Sequence, residues 1–347
     1  MNTQTASLTR PVRAVIAAVL ALATGPASAQ AGTLDAVRAR GAVVCGVAND
    51  LHGFSAPDDR GQWSGIDVDV CRAVAAAVFG DASKVRFVPL NAQARLTALQ
   101  TGEIDVLARN TTYTLTRDTA AGLNFAPVNY SDGQGFLVPK GLGVASAKQL
   151  SGAVVCVQTG TTNELNVADF SRANRLDLKT VTLEKYEEMI AAYAAGRCDA
   201  LSADSSALAT IRSNALPKPE DHVLLPELIS KEPLAPAVRQ GDDQWFDIVK
   251  WSQFAMIEAE EQGIGSASVD EALNSQNPNV RRLLGVTPGL GGALGLPDRW
   301  AHAIVKQVGN YGESFERNVG TGSKLGLPRG LNALWTKGGL MYAMPFR

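Results

Sequence analysis

Two stretches of this chain repeat one order of elements, and that order limits the folds open to it. In the first, "AVVCGVA" reads as a buried strand, "GIDVDVCRAVAAAVFG" as a helix, "KVRFVPL" as a strand, "AQARLTALQTGE" as a helix and "IDVLARN" as a strand. In the second, "AVVCVQTG", "LKTVTLE" and "CDALSADSS" read as strands, with the helices "TTNELNVADFSRAN" and "KYEEMIAAYAAGR" between them. Short apolar runs mark the strands and a 3.6-residue period marks the helices. Strands that alternate with helices call for parallel pairing through crossovers, and so for a sheet covered by helices. Both runs end in a helix, a tight turn ("TGEID", "GRCDA") and a strand. The expected fold class is therefore α/β, in two similar lobes.

The stretch "SGIDVDVCRAVAAAVFGD" places Asp67 and Asp69 at a helix start. Asp67 is expected as the N-cap, accepting a first-turn N–H. Asp69 favours the positive end of the helix dipole. Val70, Val74 and Val78 form one apolar stripe, and Gly80 ends the helix. No histidine or further acid lies near by in sequence, so helix-start chemistry is preferred to metal ligation.

The N-terminus does not read as fold. Arg10 and Arg13 precede the apolar run "AVIAAVLALATGPASAQ", and Ala27-Ser28-Ala29 supplies an A-x-A cleavage site. Residues 1–29 are expected to be a secretory signal, too short in its apolar part for a membrane span of roughly 20 residues. Export makes the cysteines informative. Cys45, Cys71, Cys156 and Cys198 have no C-x-x-C spacing, and an even set in an oxidising compartment suggests disulfides. Four cysteines allow three pairings, and sequence alone does not choose. Two fall in each α/β run, which favours Cys45–Cys71 and Cys156–Cys198. A net charge of −2 over 347 residues leaves no basic footprint, so no nucleic-acid partner is expected.

In a parallel α/β sheet, ligands bind beyond the carboxyl ends of the strands. There the sequence offers "NTTYTLTR" from Asn110 to Arg117, then Thr159-Gly160-Thr161-Thr162 opening a helix, then Asp204-Ser205-Ser206. A helix N-terminus with hydroxyls suits a carboxylate. An arginine grips one bidentately, and an aspartate suits an ammonium. Each element alone has a plain structural reading: a surface arginine, a capping threonine, a capping aspartate. Together they match a free amino acid zwitterion. Enzymatic motifs are thin. His52, His222 and His302 have no evident partner, and no G-x-S-x-G, H-E-x-x-H or Walker sequence occurs. No cofactor is expected.

The run G-I-D-V-D-V-x-x-x-V-A at 65–75, with "NTTYTLTR", "VQTGTTNEL", "GRCDALSAD" and "PAVRQGDDQW" in order, resembles the periplasmic solute-binding proteins of the polar amino acid family. The resemblance covers roughly residues 34–275. With "NYGESFERNVG" and "RGLNALWTKGGL" it points to the general L-amino-acid-binding members of ABC importers. It implies a type II periplasmic binding protein, each lobe a mainly parallel sheet flanked by helices, with two hinge crossings near Ser131–Gly135 and Ile229–Ala235. Lobe 1 would comprise 30–133 plus 236–347, and lobe 2 134–235. It further implies a periplasmic monomer that delivers L-amino acids to a membrane permease.

By position, the resemblance gives Arg117 the ligand α-carboxylate, with Thr112 and Asn110 alongside. Thr161 and Thr162 would close on that carboxylate, and Asp204 would bind the α-ammonium. Phe54, with the rest of loop 49–54, would wall the pocket. Leu51 and Ala92 stand where narrow-specificity relatives often carry larger groups, which favours broad specificity. Asp67 and Asp69 are not expected to touch ligand. The chain runs about 70 residues past the usual family end, a tail expected to pack on a lobe to bury Trp300, Phe315 and Trp335. Two rivals share the fold: a sensory binding protein that docks to a receptor, and a dehydratase using Asp50, Asp58, Asp59 or His52 for proton transfer.

Overall fold

The structure, a computed structural model, describes residues 1–4 and 32–347, so most of the expected signal segment lies outside the described residues. The chain opens with α1 (Thr33–Arg40), β1 (Val43–Val47), a small hairpin of β2 (Ala56–Pro57) and β3 (Trp63–Ser64), α2 (Ile66–Phe79), β4 (Val85–Pro89), α3 (Ala94–Gln100), β5 (Val106–Leu107), α4 (Leu115–Thr119) and β6 (Leu123–Phe125). It crosses through β7 (Tyr130–Asp132) into β8 (Gln134–Pro139). The second unit adds β9 (Val154–Gln158), α5 (Thr162–Asn174), β10 (Lys179–Leu183), α6 (Tyr186–Ala194), β11 (Ala200–Asp204), α7 (Ser205–Thr210) and β12 (His222–Leu224). The chain returns by β13 (Glu232–Leu234) to β14 (Ala237–Arg239). It ends with α8 (Asp243–Glu261), α9 (Val269–Ala272), α10 (Pro278–Leu283), α11 (Leu290–Leu294), α12 (Trp300–Gln307) and α13 (Tyr311–Asn318).

The two sheets are built alike. One runs β4-β1-β5-β14-β6 and the other β10-β9-β11-β8-β12. In each the first three strands are parallel, and the fourth, β14 or β8, is antiparallel to its neighbours. The first sheet thus takes strands from both sides of the second in sequence. The fold is a two-lobed α/β structure with one mixed sheet in each lobe, two of its pairings parallel and two antiparallel. The segments expected as hinges pair with each other: β7 and β13 form an antiparallel ribbon with Tyr130 opposite Leu234 and Asp132 opposite Glu232. Strands β1 and β11 are buried throughout, the pattern of sheets covered on both faces. Cys45 is bonded to Cys71, tying β1 to α2, and Cys156 to Cys198, tying β9 to the turn before β11.

The start of α2 differs from expectation. Its N-cap is Gly65, not Asp67, and no side chain caps it. Gly65 has φ +133°, and a Cβ there would lie 2.0 Å from the Phe54 carbonyl oxygen, so only glycine fits. The 53–54 carbonyls accept the N–H groups of Ile66 and Asp67 instead, at 2.9 and 3.0 Å. Both aspartates are thereby freed for long-range work. Asp67 accepts from the Asn110 N–H at 2.7 Å and from Asn129 Nδ2 at 3.0 Å. Asp69 accepts from Ser314 Oγ, Arg317 and Asn318 Nδ2, at 2.6, 2.6 and 2.7 Å, all on α13.

The tail packs on the first lobe, with α12 and α13 against α2 and α8. Trp300 and Phe315 are buried as expected. Trp335 is not: it is 51% exposed, its indole N–H donating to Glu261 at 3.2 Å and its ring edge-on to Tyr342. Asn332 reaches the hinge ribbon, accepting from the Ser131 N–H at 2.6 Å and donating to its carbonyl at 3.1 Å.

Candidate functional site

The loops after β5, β9 and β11 converge on one cavity between the two lobes. Asn110, Thr112, Thr161, Thr162 and Asp204 line it together with Arg95, Arg109, Gln158, Asn163 and Tyr186. It leaves about 30 Å³ of free space, room for a water or two at about 15 Å³ each. The lobes are drawn together. Asn91 donates to Glu184 at 3.1 Å, Thr210 Oγ1 lies 3.2 Å from the His52 carbonyl, and the hydroxyls of Thr112 and Thr162 are 3.4 Å apart.

Each side chain is placed by its element. Asn110 has φ +31°, a conformation sparsely used by non-glycine residues. The buried Asp67 carboxylate holds its N–H, which fixes the turn that sends Thr112 into the cleft. Burial pushes the Asp67 carboxyl up to about 6, against the lowering effect of its hydrogen bonds from Asn110 and Asn129. Thr161 is the N-cap of α5, but its hydroxyl donates back to the Gln158 carbonyl at 2.7 Å. Thr162 donates instead to Glu232, at 2.9 Å. Asp204 stands at the N-cap position of α7 without capping it, and accepts from Asn163 Nδ2 at 3.0 Å. Burial raises its pKa, reinforced by the neighbouring carboxylates of Asp132 and Glu232. Asp132, itself raised by burial, is held by the hydroxyls of Ser205 and Ser206.

Arg117 stands beside the cavity rather than in its lining, donating to the Thr112 carbonyl at 2.9 Å. Phe54, Leu51 and Ala92 lie outside the lining also. Phe54 turns into the core, edge-on to Tyr130 with ring centroids 5.1 Å apart. Leu51 bridges Ser55 in a tight turn and Ala92 is buried beside α3. Two histidines have partners that the sequence did not suggest: His222 with Tyr193 at 2.7 Å and His302 with Asp270 at 3.0 Å.

Glu232 is a cleft residue that the sequence did not reveal. It is 1% exposed, and it accepts from Thr112 Oγ1 at 2.6 Å on one lobe and from Thr162 and Asn166 on the other, with Ser230 Oγ at 2.7 Å. Arg95, Arg109 and Tyr186 were missed as well. Arg109 adjoins Asn110, a readable signal. Arg95 sits in the first turn of α3, where a lone arginine reads as solvated.

The chain can be compared with known proteins on this geometry. Residues 43–262 match the model of the bacterial extracellular solute-binding proteins, family 3. The general L-amino acid-binding periplasmic protein AapJ of Rhizobium johnstonii is 58% identical over 336 residues, 96% of this chain and 98% of the relative. The glutamate/glutamine/aspartate/asparagine-binding protein BztA of Rhodobacter capsulatus is 53% identical over 331 residues, 95% of this chain and 97% of its own. A solved periplasmic binding protein of an ABC transporter from Brucella ovis, with glutathione bound, superposes with a TM-score of 0.90 at 55% identity, over 92% of this chain and all of that one. The family model stops before the tail, whereas these long relatives match it too. With the family model covering both sheets and these relatives nearly the whole chain, this protein belongs to the bacterial extracellular solute-binding proteins, family 3.

Proposed function

We propose that this protein is the extracytoplasmic substrate-binding component of an amino acid ABC importer, of broad specificity for L-amino acids. The observation that carries the reading is the convergence of Asn110, Thr112, Thr161, Thr162 and Asp204, from strand ends of both lobes, on one cavity with Arg117 at its side. In this reading Arg117 and the α5 N-terminus take the α-carboxylate, and Asp204 with Thr112 takes the α-ammonium. The names of AapJ and BztA, an L-amino acid binder and a binder of four acidic or amide residues, support the ligand class.

The mechanism follows from contacts that only the closed state makes. Ligand bridges Arg117 and Asn110 on lobe 1 (30–133 plus 236–347) to Thr161, Thr162 and Asp204 on lobe 2 (134–235). It therefore shifts the population toward closure about the β7–β13 ribbon. Residues 1–29 direct export and are removed, and the mature monomer presents the closed form to a membrane permease. The test is calorimetric titration of the refolded, ligand-stripped protein and of Arg117→Ala. The variant should keep its melting temperature and lose amino acid binding; retained affinity would overturn the assignment.

A further inference from the structure

The zwitterion site leaves part of the cavity unaccounted for. Arg95 and Arg109 are 2% and 4% exposed, both line the cavity, and neither has a carboxylate within ion-pair distance among the described residues. Arg109 spends its Nε on the Leu90 carbonyl at 2.7 Å and an Nη on Asn110 Oδ1 at 3.3 Å. Arg95 reaches only the Arg109 carbonyl, at 3.5 Å, and its Nε has no partner. Tyr186, 9% exposed on the facing lobe, also lines the cavity, and its hydroxyl has no partner either. Asp50, Asp67 and Asp204 act on these two charges only from beyond ion-pair distance, and a buried donor without an acceptor costs a desolvation penalty. Two guanidinium groups in one cavity also repel each other. One acceptor-rich anion would relieve all three.

The geometry points to a second-anion subsite, formed by Arg95, Arg109 and Tyr186, that takes the side-chain carboxylate of an acidic L-amino acid. The inference rests on the importer reading above, since it places the α-carboxylate and α-ammonium elsewhere in the same cavity. The subsite draws donors from both lobes, so a dicarboxylic ligand gains a third cross-lobe contact that a neutral one lacks.

The test is calorimetric titration of the ligand-stripped mature protein with L-glutamate and L-alanine, reading the ratio of the two dissociation constants. We expect glutamate to bind the wild type more tightly, and Arg95→Met to lower that preference by about tenfold or more, the scale of a hydrogen bond to a charged group. Tyr186→Phe removes only an unpartnered hydroxyl, keeps the test open should Arg95→Met fail to fold, and should lower the same preference. An unchanged ratio in the folded variants, or a wild type that binds alanine but not glutamate, would overturn the subsite alone. A wild type that binds no L-amino acid would overturn the importer reading, and the subsite with it.

Discussion

The carboxylate of Glu232 accepts a hydrogen bond from Thr112 Oγ1 at 2.6 Å, joining the hinge ribbon to the cavity-lining loop of the first lobe. The same carboxylate holds Thr162 and Asn166 of the other lobe. It is thus a direct latch between the two lobes. Glu232→Ala should release it, and the ligand-free protein should then be measurably more extended than the wild type by small-angle X-ray scattering. Identical radii of gyration would mean that the other interlobe contacts suffice.

In the proposed site, Asp204 makes binding a proton-linked event. Its pKa is raised by burial and by Asp132 and Glu232. A bound ammonium favours the ionised form, so the pKa falls on binding and a proton is released. Affinity should therefore weaken as pH drops through the raised pKa. Calorimetry at one pH in buffers of different ionisation enthalpy should detect the release, and Asp204→Asn should abolish it.

Asp69 anchors the tail. Its buried carboxylate holds three donors of α13, two of them neutral and one a guanidinium. Asp69→Ala should cost about 2–4 kcal/mol, the range for breaking a buried charged network. Hydrogen exchange should rise first in 311–318. Protection unchanged there would show that packing on α2 and α8 alone holds the tail.

The disulfides close loops with sequence separations of 26 and 42 residues. Loops of that size should each contribute about 3–4 kcal/mol by restricting the unfolded chain. Reduction should lower the melting temperature in the presence and absence of ligand alike. Alkylation of the denatured, unreduced protein should leave its mass unchanged.

The architecture was legible because each strand and helix carries its own period, and the order of elements dictates parallel sheets. The loops that line the cavity were legible because they follow strand carboxyl ends. Other features depend on tertiary structure. Asp67 looks like a cap because the sequence "SGID" does not reveal that Gly65 adopts φ +133° and takes that position itself. Arg95 and Glu232 are far apart in sequence and polar in local context, and only folding brings both to the cleft. Trp335 shows the limit of reading burial from residue type, since a hydrogen bond to Glu261 and one aromatic neighbour hold it half-exposed.

The most direct measurement is a thermal-shift panel on the mature protein, refolded to strip carried-over ligand, with the twenty L-amino acids, several D-isomers and several sugars. A ligand that binds only the folded state raises its melting temperature by mass action. The account predicts stabilisation by many L-amino acids, strongest for the acidic ones, and none by sugars. A panel with no shift from any L-amino acid would contradict it.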